Sequence, residues 1–325
     1  MKALWLDGKP RLRDDVPQPL AGACEALVRV RLAGVCATDL EMLRGYHPFC
    51  GVLGHEFVGE IEETVDAPER VGERVVGEIN IACGHCRECR AGRPTHCSRR
   101  RVAGIREQNG VFAEFTCLPL QNLHRVPDLV PDEAAVFAEP LAAALEVIQQ
   151  VPITPDQRVL VVGAGRLGQL IARVLRLSGC ALSVVARHPH QRALLEAARV
   201  RWIGEDALVK ADADLVVEAT GSPDGFALAR RAVRPRGTIV LKSTYRGLSE
   251  ADFSSLVVDE ITLVGSRCGP FPAALRLLAQ GLVEPTPLID ARFALADAVA
   301  ALRRAAEPGV MKILIDCRGC SASPP

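Results

Sequence analysis

The sequence predicts an α/β protein with two domains, one mainly β and the other built around a doubly wound parallel sheet. Its 325 residues are enough for about two domains. The part before residue 146 contains short alternating segments bounded by turn residues, such as 26–32 and 57–61, which are typical of half-buried strands. From residue 158 onward, apolar strands alternate with helical stretches, which indicates a parallel sheet.

Composition and charge exclude several classes of protein. Hydrophobic residues make up 49% of the chain and charged residues 24%, which are globular values and exclude intrinsic disorder. The 39 lysines and arginines balance the 39 aspartates and glutamates, so no net field attracts nucleic acid or an anionic membrane. We therefore expect neither nucleic acid nor a membrane as a partner.

The apolar pattern predicts a cytoplasmic protein. Asp7 interrupts the region where a signal peptide needs an apolar stretch. No run approaches the roughly 18 apolar residues of a membrane span, and the best candidate, 134–148, is broken by Glu139 and Pro140. Twelve cysteines would suit a disulfide scaffold in a short secreted chain, but this chain is long and no export signal is expected, so the spacing of the cysteines must decide.

Four of these cysteines lie in one segment that also contains Gly, Pro and Arg residues. Cys83, Cys86, Cys89 and Cys97 are separated by two, two and seven residues. Two-residue gaps turn successive sulfur atoms toward one centre, whereas a ferredoxin-type iron–sulfur cluster needs a different last gap. The spacing predicts a structural zinc site with four thiolate ligands. The cysteines outside the metal sites are expected to be small buried residues.

Three separate residues indicate a second, open metal site. Cys36, His55 and Glu139 each have an ordinary alternative, namely a core cysteine, a hydrogen-bonded histidine and a glutamate that starts a helix. Together they supply one sulfur, one nitrogen and one oxygen ligand. A tetrahedral zinc would then keep one position for water or substrate.

The segment 158–177 indicates a dinucleotide-binding turn. An apolar strand, 158–162, runs into the pattern Gly-x-Gly-x-x-Gly, and a helical stretch, 169–177, follows. Glycines here allow a tight turn and close approach of a pyrophosphate, whose charge the helix N-terminus stabilises. The predicted cofactor contacts are Gly163, Gly165, Arg166, Leu167 and Gly168, together with Thr220 after the predicted strand 214–217.

The end of the second strand of this domain indicates the cofactor type. NAD enzymes normally have an acidic residue about 20 positions after the first glycine, but Ala186, Arg187 and His188 occupy this place. Arg187, helped by His188 or Arg192, is suited to a 2′-phosphate through charge-assisted hydrogen bonds. The sequence therefore favours NADP. The alternative is NAD, bound through other contacts while Arg187 lies in solvent.

These motifs follow one another as in a known family. Cys-x-Thr-Asp at 36–39, Gly-His-Glu at 54–56 and the four-cysteine segment resemble the motifs of zinc-dependent medium-chain alcohol dehydrogenases, and the resemblance covers essentially the whole chain. It implies a GroES-like catalytic domain at 1–146, completed by 270–325, and a Rossmann domain at 147–269. It also implies a homodimer or homotetramer.

The resemblance implies roles for individual residues at the open site. Cys36 and His55 bind the catalytic zinc, and Glu139 occupies the third ligand position, as in the polyol and sugar dehydrogenase branch. In that branch the Glu after the His also approaches the metal, so Glu56 and Glu139 compete for one role and the choice stays open. Asp39 orients the ligating imidazole by accepting its other N–H.

The resemblance also implies a route for the proton. Thr38 corresponds to the hydroxyl that accepts the proton of the alcohol. Many relatives have a His five residues after the Cys ligand, but this position is Glu41 here. The proton then leaves through Glu41, the nearby His47 or water.

The expected function is the reversible oxidation of an alcohol to its carbonyl compound, with hydride passing to NAD(P). The substrate is a polyol, a sugar or an amino-alcohol-like metabolite, and each chain holds one catalytic and one structural zinc. One alternative is a zinc-free NADPH-dependent enone or quinone reductase on the same scaffold, against which Cys36, His55 and Glu139 argue. The other is a non-catalytic, nucleotide-binding redox sensor.

Overall fold

The structure is a computed structural model that describes residues 1–248 and 250–318. The chain divides into two compact units, of which the first contains Met1–Glu139 and the C-terminal segment from Ala274, and the second contains Pro140–Ala273. The boundary expected at 146–147 falls inside one continuous helix, Ala138–Gln150, which belongs almost entirely to the second unit. The end of the expected segment 270–325 lies outside the described residues.

Strands dominate the first unit and alternate with helices in the second. The described strands are β1 Ala3–Asp7, β2 Lys9–Arg13, β3 Glu25–Gly34, β4 Gly51–Val52, β5 Glu56–Glu63, β6 Arg74–Gly77, β7 Asn80–Ile81, β8 Arg101–Ala103, β9 Glu107–Gln108, β10 Phe115–Pro119, β11 Leu123–Arg125, β12 Arg158–Val162, β13 Ala181–Val185, β14 Arg201–Ile203, β15 Ala213–Glu218, β16 Val233–Leu241, β17 Thr262–Gly265, β18 Ile289–Ala294 and β19 Lys312–Asp316.

The described helices are α1 Ala37–Leu43, α2 Arg87–Arg90, α3 Asp132–Ala135, α4 Ala138–Gln150, α5 Arg166–Arg176, α6 Pro189–Ala197, α7 Pro223–Ala232, α8 Phe253–Val258, α9 Phe271–Ala279 and α10 Ala298–Ala305. None of them combines the length and the apolar character that crossing a membrane requires.

The main sheet of the first unit has the strand order β11-β6-β5-β3-β19-β18, and β10 also pairs with β3. The long strand β3 alternates in burial along its central part. Its inward-facing residues Val28 and Val30 pack in one core with Phe57 and Ile61 of β5 and Ile313 of β19. The sheet is therefore fixed by apolar contacts between strands that are far apart in the sequence.

Strand register brings three chain segments to one end of this sheet. Gly34, the last residue of β3, pairs with Glu56 at the start of β5 and with Leu314 of β19. Helix α1 begins directly after β3, with Cys36 as its N-cap. The start of α1, the turn before β5 and the start of β19 therefore meet.

The second unit contains a parallel sheet with the strand order β14-β13-β12-β15-β16-β17. This is the order of a doubly wound dinucleotide-binding sheet, so the predicted fold class is confirmed. Val162, Val185 and Ile239 of the strands pack with Ala229 of α7 in its core. The carboxyl ends of β12, β13 and β15 are in register, which places the loops after them side by side.

The cysteines outside the predicted metal sites differ from one another in exposure. The described cysteines are free thiols. The expectation of burial is confirmed for Cys117 and Cys317, but it is wrong for Cys24 and Cys50, which lie in exposed loop positions. Cys320 lies outside the described residues.

Candidate active site

The four-cysteine segment between β7 and β8 forms a compact sulfur cluster. Helix α2 begins after Cys86, and a short 3₁₀ turn, Pro94–His96, ends before Cys97. The four sulfur atoms lie within 4.8 Å of one another, with Cys89 Sγ 3.4 Å from Cys86 Sγ and 4.0 Å from Cys83 Sγ. Sulfur atoms about 2.3 Å from a tetrahedral zinc are about 3.8 Å apart. The cluster therefore fits a zinc ion with no open position.

The thiols of this cluster differ in proton affinity. A hydrogen bond from the backbone of His85 lowers the pKa of Cys83 to about 5, and loss of hydration raises the pKa of Cys89 to about 11. The guanidinium of Arg99 lies 3.6 Å from Cys83 Sγ and adds a positive charge. A divalent cation is what allows all four groups to be thiolates together, so metal binding here releases protons.

A second ligand group lies at the end of the main sheet of the same unit. Cys36 Sγ, a ring nitrogen of His55 and a carboxylate oxygen of Glu56 lie within 4.8 Å of one another. His55 and Glu56 are buried, and Cys36 is half-buried. Three ligands of three types leave one position of a tetrahedral zinc for a small molecule. We call this set the open group.

One buried carboxylate holds two members of the open group. Oδ2 of Asp39 accepts a hydrogen bond from the backbone N–H of Cys36 at 2.8 Å, and its Oδ1 lies 3.1 Å from His55 Nδ1. Burial works to lower the pKa of His55, but the negative charges of Asp39 and Cys36 outweigh it and raise that pKa well above its ordinary range. With Nδ1 beside Asp39, His55 has Nε2 for a metal.

Lys312 lies beside the open group and was missed by the sequence analysis. Its Nζ forms a buried ion pair with Glu56 Oε2 and lies 3.3 Å from the carbonyl oxygen of Val35. Gly34 makes room for this pair, because a β-carbon there would lie 2.5 Å from Glu56 Oε2. The available signal was Lys312 at the start of β19, directly before the apolar residues 313–315.

The other oxygen of Glu56 tests whether the open group suits a metal. Glu56 Oε1 is buried and has no hydrogen-bond partner among the described residues. Leaving a buried carboxylate oxygen without a donor costs free energy, and a cation held by Cys36 and His55 would satisfy it. Thiolate, imidazole and carboxylate are all ligands of zinc in proteins. The residues of the open group therefore fit a zinc ion.

The other residues predicted to act near the open group, Thr38, Glu41 and His47, each make a different contact. Thr38 Oγ1 lies 3.8 Å from Cys36 Sγ. Glu41 pairs with Arg44 at 2.6 Å, and His47 Nδ1 lies 2.9 Å from the carbonyl oxygen of the next residue.

Glu139 lies half-buried in the first turn of α4. The structure does not bring its carboxylate into the group of ligand atoms formed by Cys36, His55 and Glu56. Of the two competing carboxylates, Glu56 is therefore the one that lies with the other ligands.

The glycine-rich turn joins β12 to α5. Gly163 has a φ of 107°, and a β-carbon at Gly168 would overlap the carbonyl oxygen of Gly163, so both positions require glycine. Gly165 is the N-cap of α5, whose first turn contains Arg166 and Leu167. The backbone N–H groups and the positive dipole end of this 11-residue helix suit a phosphate.

Thr220 lies after β15 in a network around Glu218, which is buried at the end of that strand. Glu218 Oε1 accepts hydrogen bonds from the Thr220 N–H at 2.8 Å, the Thr220 hydroxyl at 2.6 Å and the Ser243 hydroxyl at 2.9 Å. Glu218 also pairs with Val162, directly before the glycine-rich turn. The network therefore fixes the loop that follows β15 beside the predicted phosphate site.

Arg187 follows β13 and is paired with an acidic side chain that the sequence analysis did not consider. Its Nε and Nη2 lie 3.2 and 3.1 Å from Glu205 Oε2. Glu205 follows β14, the parallel neighbour of β13. The acidic residue that NAD enzymes normally have at the end of β13 is absent here. Glu205, which follows β14, instead brings a carboxylate to Arg187.

Comparisons with known proteins agree with the fold and the family motifs described above. Residues 22–128 match the alcohol dehydrogenase GroES-like domain. The starvation-sensing protein RspB of Escherichia coli K12 is 32% identical over 299 residues, which are 86% of this chain and 87% of that protein. L-threonine 3-dehydrogenase of Pyrococcus abyssi GE5 / Orsay is 30% identical over 319 residues, 90% of each chain. The chain belongs to the zinc-dependent medium-chain alcohol dehydrogenase family.

Two solved structures match almost the whole of this dehydrogenase. RspB of Escherichia coli CFT073, complexed with NADH, has a TM-score of 0.88 at 27% identity and covers 97% of this chain and 99% of its own. A zinc-binding dehydrogenase of Sinorhizobium meliloti 1021, bound to NADP, has a TM-score of 0.88 at 28% identity and covers 97% and 98%. The predicted family and activity are confirmed: this dehydrogenase is an oxidoreductase that transfers hydride between an alcohol and NAD(P).

Proposed function

We propose that this dehydrogenase oxidises a polyol, a sugar or an amino-alcohol-like metabolite and holds two zinc ions per chain, one structural and one catalytic. The observation that carries the proposal is the contrast between a saturated four-sulfur cluster and the open group, which has three ligands. A four-thiolate zinc has no position for a substrate, whereas a three-ligand zinc does. The relative named L-threonine 3-dehydrogenase acts on an alcohol of this broad class.

The residues of the open group divide the chemical work. Cys36, His55 and Glu56 would hold the zinc ion, which would act as a Lewis acid and lower the pKa of an alcohol hydroxyl. Thr38, which lies beside Cys36, accepts the hydroxyl proton and passes it outward. Asp39 keeps His55 in the ligating tautomer. Bound NAD(P) would supply the hydride acceptor, so the overall reaction converts the alcohol and NAD(P)+ to a carbonyl compound, a proton and NAD(P)H.

Glu56 is the proposed third zinc ligand. Its unpartnered Oε1 and its distance to Cys36 and His55 support this choice over Glu139. Lys312 neutralises the other oxygen of Glu56, so the carboxylate brings less negative charge to the metal. Glu41, His47 or water stays the proposed outer step of the proton route.

NADP is the proposed preferred cofactor, and NAD binds as well. The glycine-rich turn and the Thr220 loop take the shared pyrophosphate and ribose, and Arg187 takes the 2′-phosphate. The exposed position of Arg187 supports this role, because its guanidinium is accessible to a ligand. The matched structures contain NADH in one case and NADP in the other.

We also propose a homodimer or homotetramer that pairs through the edge of the nucleotide-binding sheet. Strand β17 lies at that edge. Leu263 on β17 and Phe253, Val257 and Val258 on the preceding helix α8 are exposed, and exposed apolar side chains near an unpaired strand edge suit an interface. Light scattering coupled to size-exclusion chromatography tests this: Val258→Asp shifts the protein toward monomer, whereas Val209→Asp, at an exposed valine before β15, leaves the oligomer intact.

Metal analysis combined with a substrate panel tests the proposed activity. Purified protein is expected to contain two zinc ions per chain and to form NAD(P)H with polyols, sugars or amino alcohols. Cys36→Ser serves as the matched variant and is expected to retain one zinc and no turnover. One zinc in the wild type with reduction of an enone would favour the reductase alternative. Nucleotide binding without any turnover would favour the redox sensor.

A further inference from the structure

The pairing of Arg187 with Glu205 follows directly from the sheet. Val185 of β13 and Ile203 of β14 are in register, so the residues two positions beyond each strand face one another. Both Nε and Nη2 of Arg187 contact the same oxygen, Glu205 Oε2, and Nη1 takes no part in this contact. Glu205 therefore takes the Nε–Nη2 edge of the guanidinium, an edge that could otherwise donate two hydrogen bonds to another acceptor.

This ion pair is easily opened by a stronger acceptor. The side chains of Arg187 and Glu205 are 61% and 42% exposed, and exposed ion pairs contribute little because water and salt screen them. A phosphate monoester carries more negative charge than a carboxylate and binds arginine through two parallel hydrogen bonds. A 2′-phosphate and Glu205 therefore compete for the same guanidinium.

Two neighbouring arginines make contacts that do not involve the carboxylate of Glu205. Arg192 Nε donates to the carbonyl oxygen of Ala186 at 3.1 Å, and its guanidinium lies 4.4 Å from the centre of the Trp202 ring. Arg231 Nη2 donates to the backbone oxygen of Glu205 at 3.4 Å. Arg187 is thus the one of these three arginines that contacts the carboxylate of Glu205.

From this arrangement we propose that Glu205 is a specificity-determining residue for the nucleotide. It occupies the guanidinium that a 2′-phosphate needs, and its own negative charge repels that phosphate, so it lowers the affinity for NADP(H) and leaves the affinity for NAD(H) unchanged. The inference rests on the proposed nucleotide site and deepens it. Glu205 explains how a chain that lacks the acidic residue at the end of β13 still accepts both cofactors.

Direct titration of the full-length, zinc-loaded protein with NADPH and NADH tests this proposal. Glu205→Gln is expected to lower the Kd for NADPH about fivefold, the size of effect that an exposed ion pair supports, and to change the Kd for NADH less than about twofold. Asp206→Asn is the matched control, because this neighbouring carboxylate packs against Gly204. It is expected to leave both values within about twofold.

A double-mutant cycle shows whether the effect passes through Arg187. In an Arg187→Gln background, Glu205→Gln is expected to change the Kd for NADPH by less than half as much, in free energy, as it does in the wild-type background. An unchanged ratio of the two Kd values in Glu205→Gln overturns the proposal, and so does an equal change in Asp206→Asn, which would indicate a general charge effect. If the wild type binds neither nucleotide, the proposed nucleotide site itself fails and this inference fails with it.

Discussion

The two metal-ligand groups of the first unit are built in opposite ways. The sulfur cluster comes from one short segment, 83–97, and uses four ligands of one type in a largely half-buried loop. The open group takes Cys36 from the start of α1 and His55 and Glu56 from the start of β5, at the end of a sheet. The first is a local structure, whereas the second exists only when β3, β5 and β19 are in register.

This difference predicts different tasks for the two proposed zinc ions. A saturated cluster closes a loop and contributes its binding free energy to folding. The open group is held by protein contacts that do not need a metal, namely Asp39 on Cys36 and His55, and Lys312 on Glu56. A metal there adds chemistry to a site that the fold has already formed.

The largest expected effect is the loss of activity in Cys36→Ser. Removing one of three zinc ligands is expected to lower kcat/KM at least about 1000-fold, which corresponds to about 4 kcal/mol of transition-state stabilisation. Because Asp39 accepts from the backbone N–H of Cys36, that hydrogen bond survives the substitution. Circular dichroism and the melting temperature should therefore stay close to the wild-type values. Normal activity with zinc absent from this site would contradict the proposed mechanism.

Cys89→Ser is expected to lower the stability of the fold and to leave the activity of the folded protein nearly unchanged. The variant leaves the structural zinc with three thiolates, and a loss of about 4 kcal/mol would lower Tm by about 10 °C at roughly 2–4 °C per kcal/mol. Below the new Tm, the kcat of the folded protein should stay within about twofold of the wild type. If Cys89→Ser abolished turnover at unchanged Tm, the proposed division of tasks between the sulfur cluster and the open group would be wrong. A chelator titration of both variants shows which zinc is lost first.

The same contrast explains which parts of the site were predictable. The sulfur cluster could be predicted from spacing alone, because its ligands are close in the chain. The alternation of strands and helices around the Gly163 turn predicted the parallel sheet for the same reason. Lys312 was not predicted, since it meets Glu56 only through the pairing of β19 with β3, and Glu205 meets Arg187 only through the pairing of β14 with β13.

Lys312→Met is expected to destabilise the open group when zinc is removed. Both partners of the pair are nearly inaccessible to solvent, and breaking a buried ion pair by deleting one partner costs about 3–5 kcal/mol. Zinc is expected to recover part of this loss, because Glu56 then has a cation for its charge. The measurement is the free energy of unfolding in urea with and without zinc.

The double variant Lys312→Met/Glu56→Gln is the control for this experiment. It removes both charges, so its loss in the zinc-free protein should be smaller than that of Lys312→Met alone. Equal losses for Lys312→Met with and without zinc would mean that Glu56 does not reach the metal. Glu139 would then be the remaining carboxylate for the third ligand position.

The smallest expected effect concerns the other end of β19, where Asp316 lies in an accessible pair network with Arg292 and Arg318. Burial works to raise the pKa of Asp316, but the hydrogen bonds from Arg318 and Arg292 outweigh it and lower the pKa to about 2. A carboxyl group whose pKa is lower in the folded chain stabilises the folded state at pH values above its ordinary pKa, and this contribution is lost as the pH falls.

Asp316→Asn should therefore cost about 1 kcal/mol of folding stability between pH 5 and 7, a value discounted for solvent screening. The difference from the wild type should shrink as the pH falls from about 4 toward 2, when urea unfolding of both proteins is measured across this range. A difference that stays constant down to the lowest pH would show that Asp316 acts through packing rather than charge, unlike Lys312 at the start of the same strand, which forms a buried ion pair with Glu56 of β5.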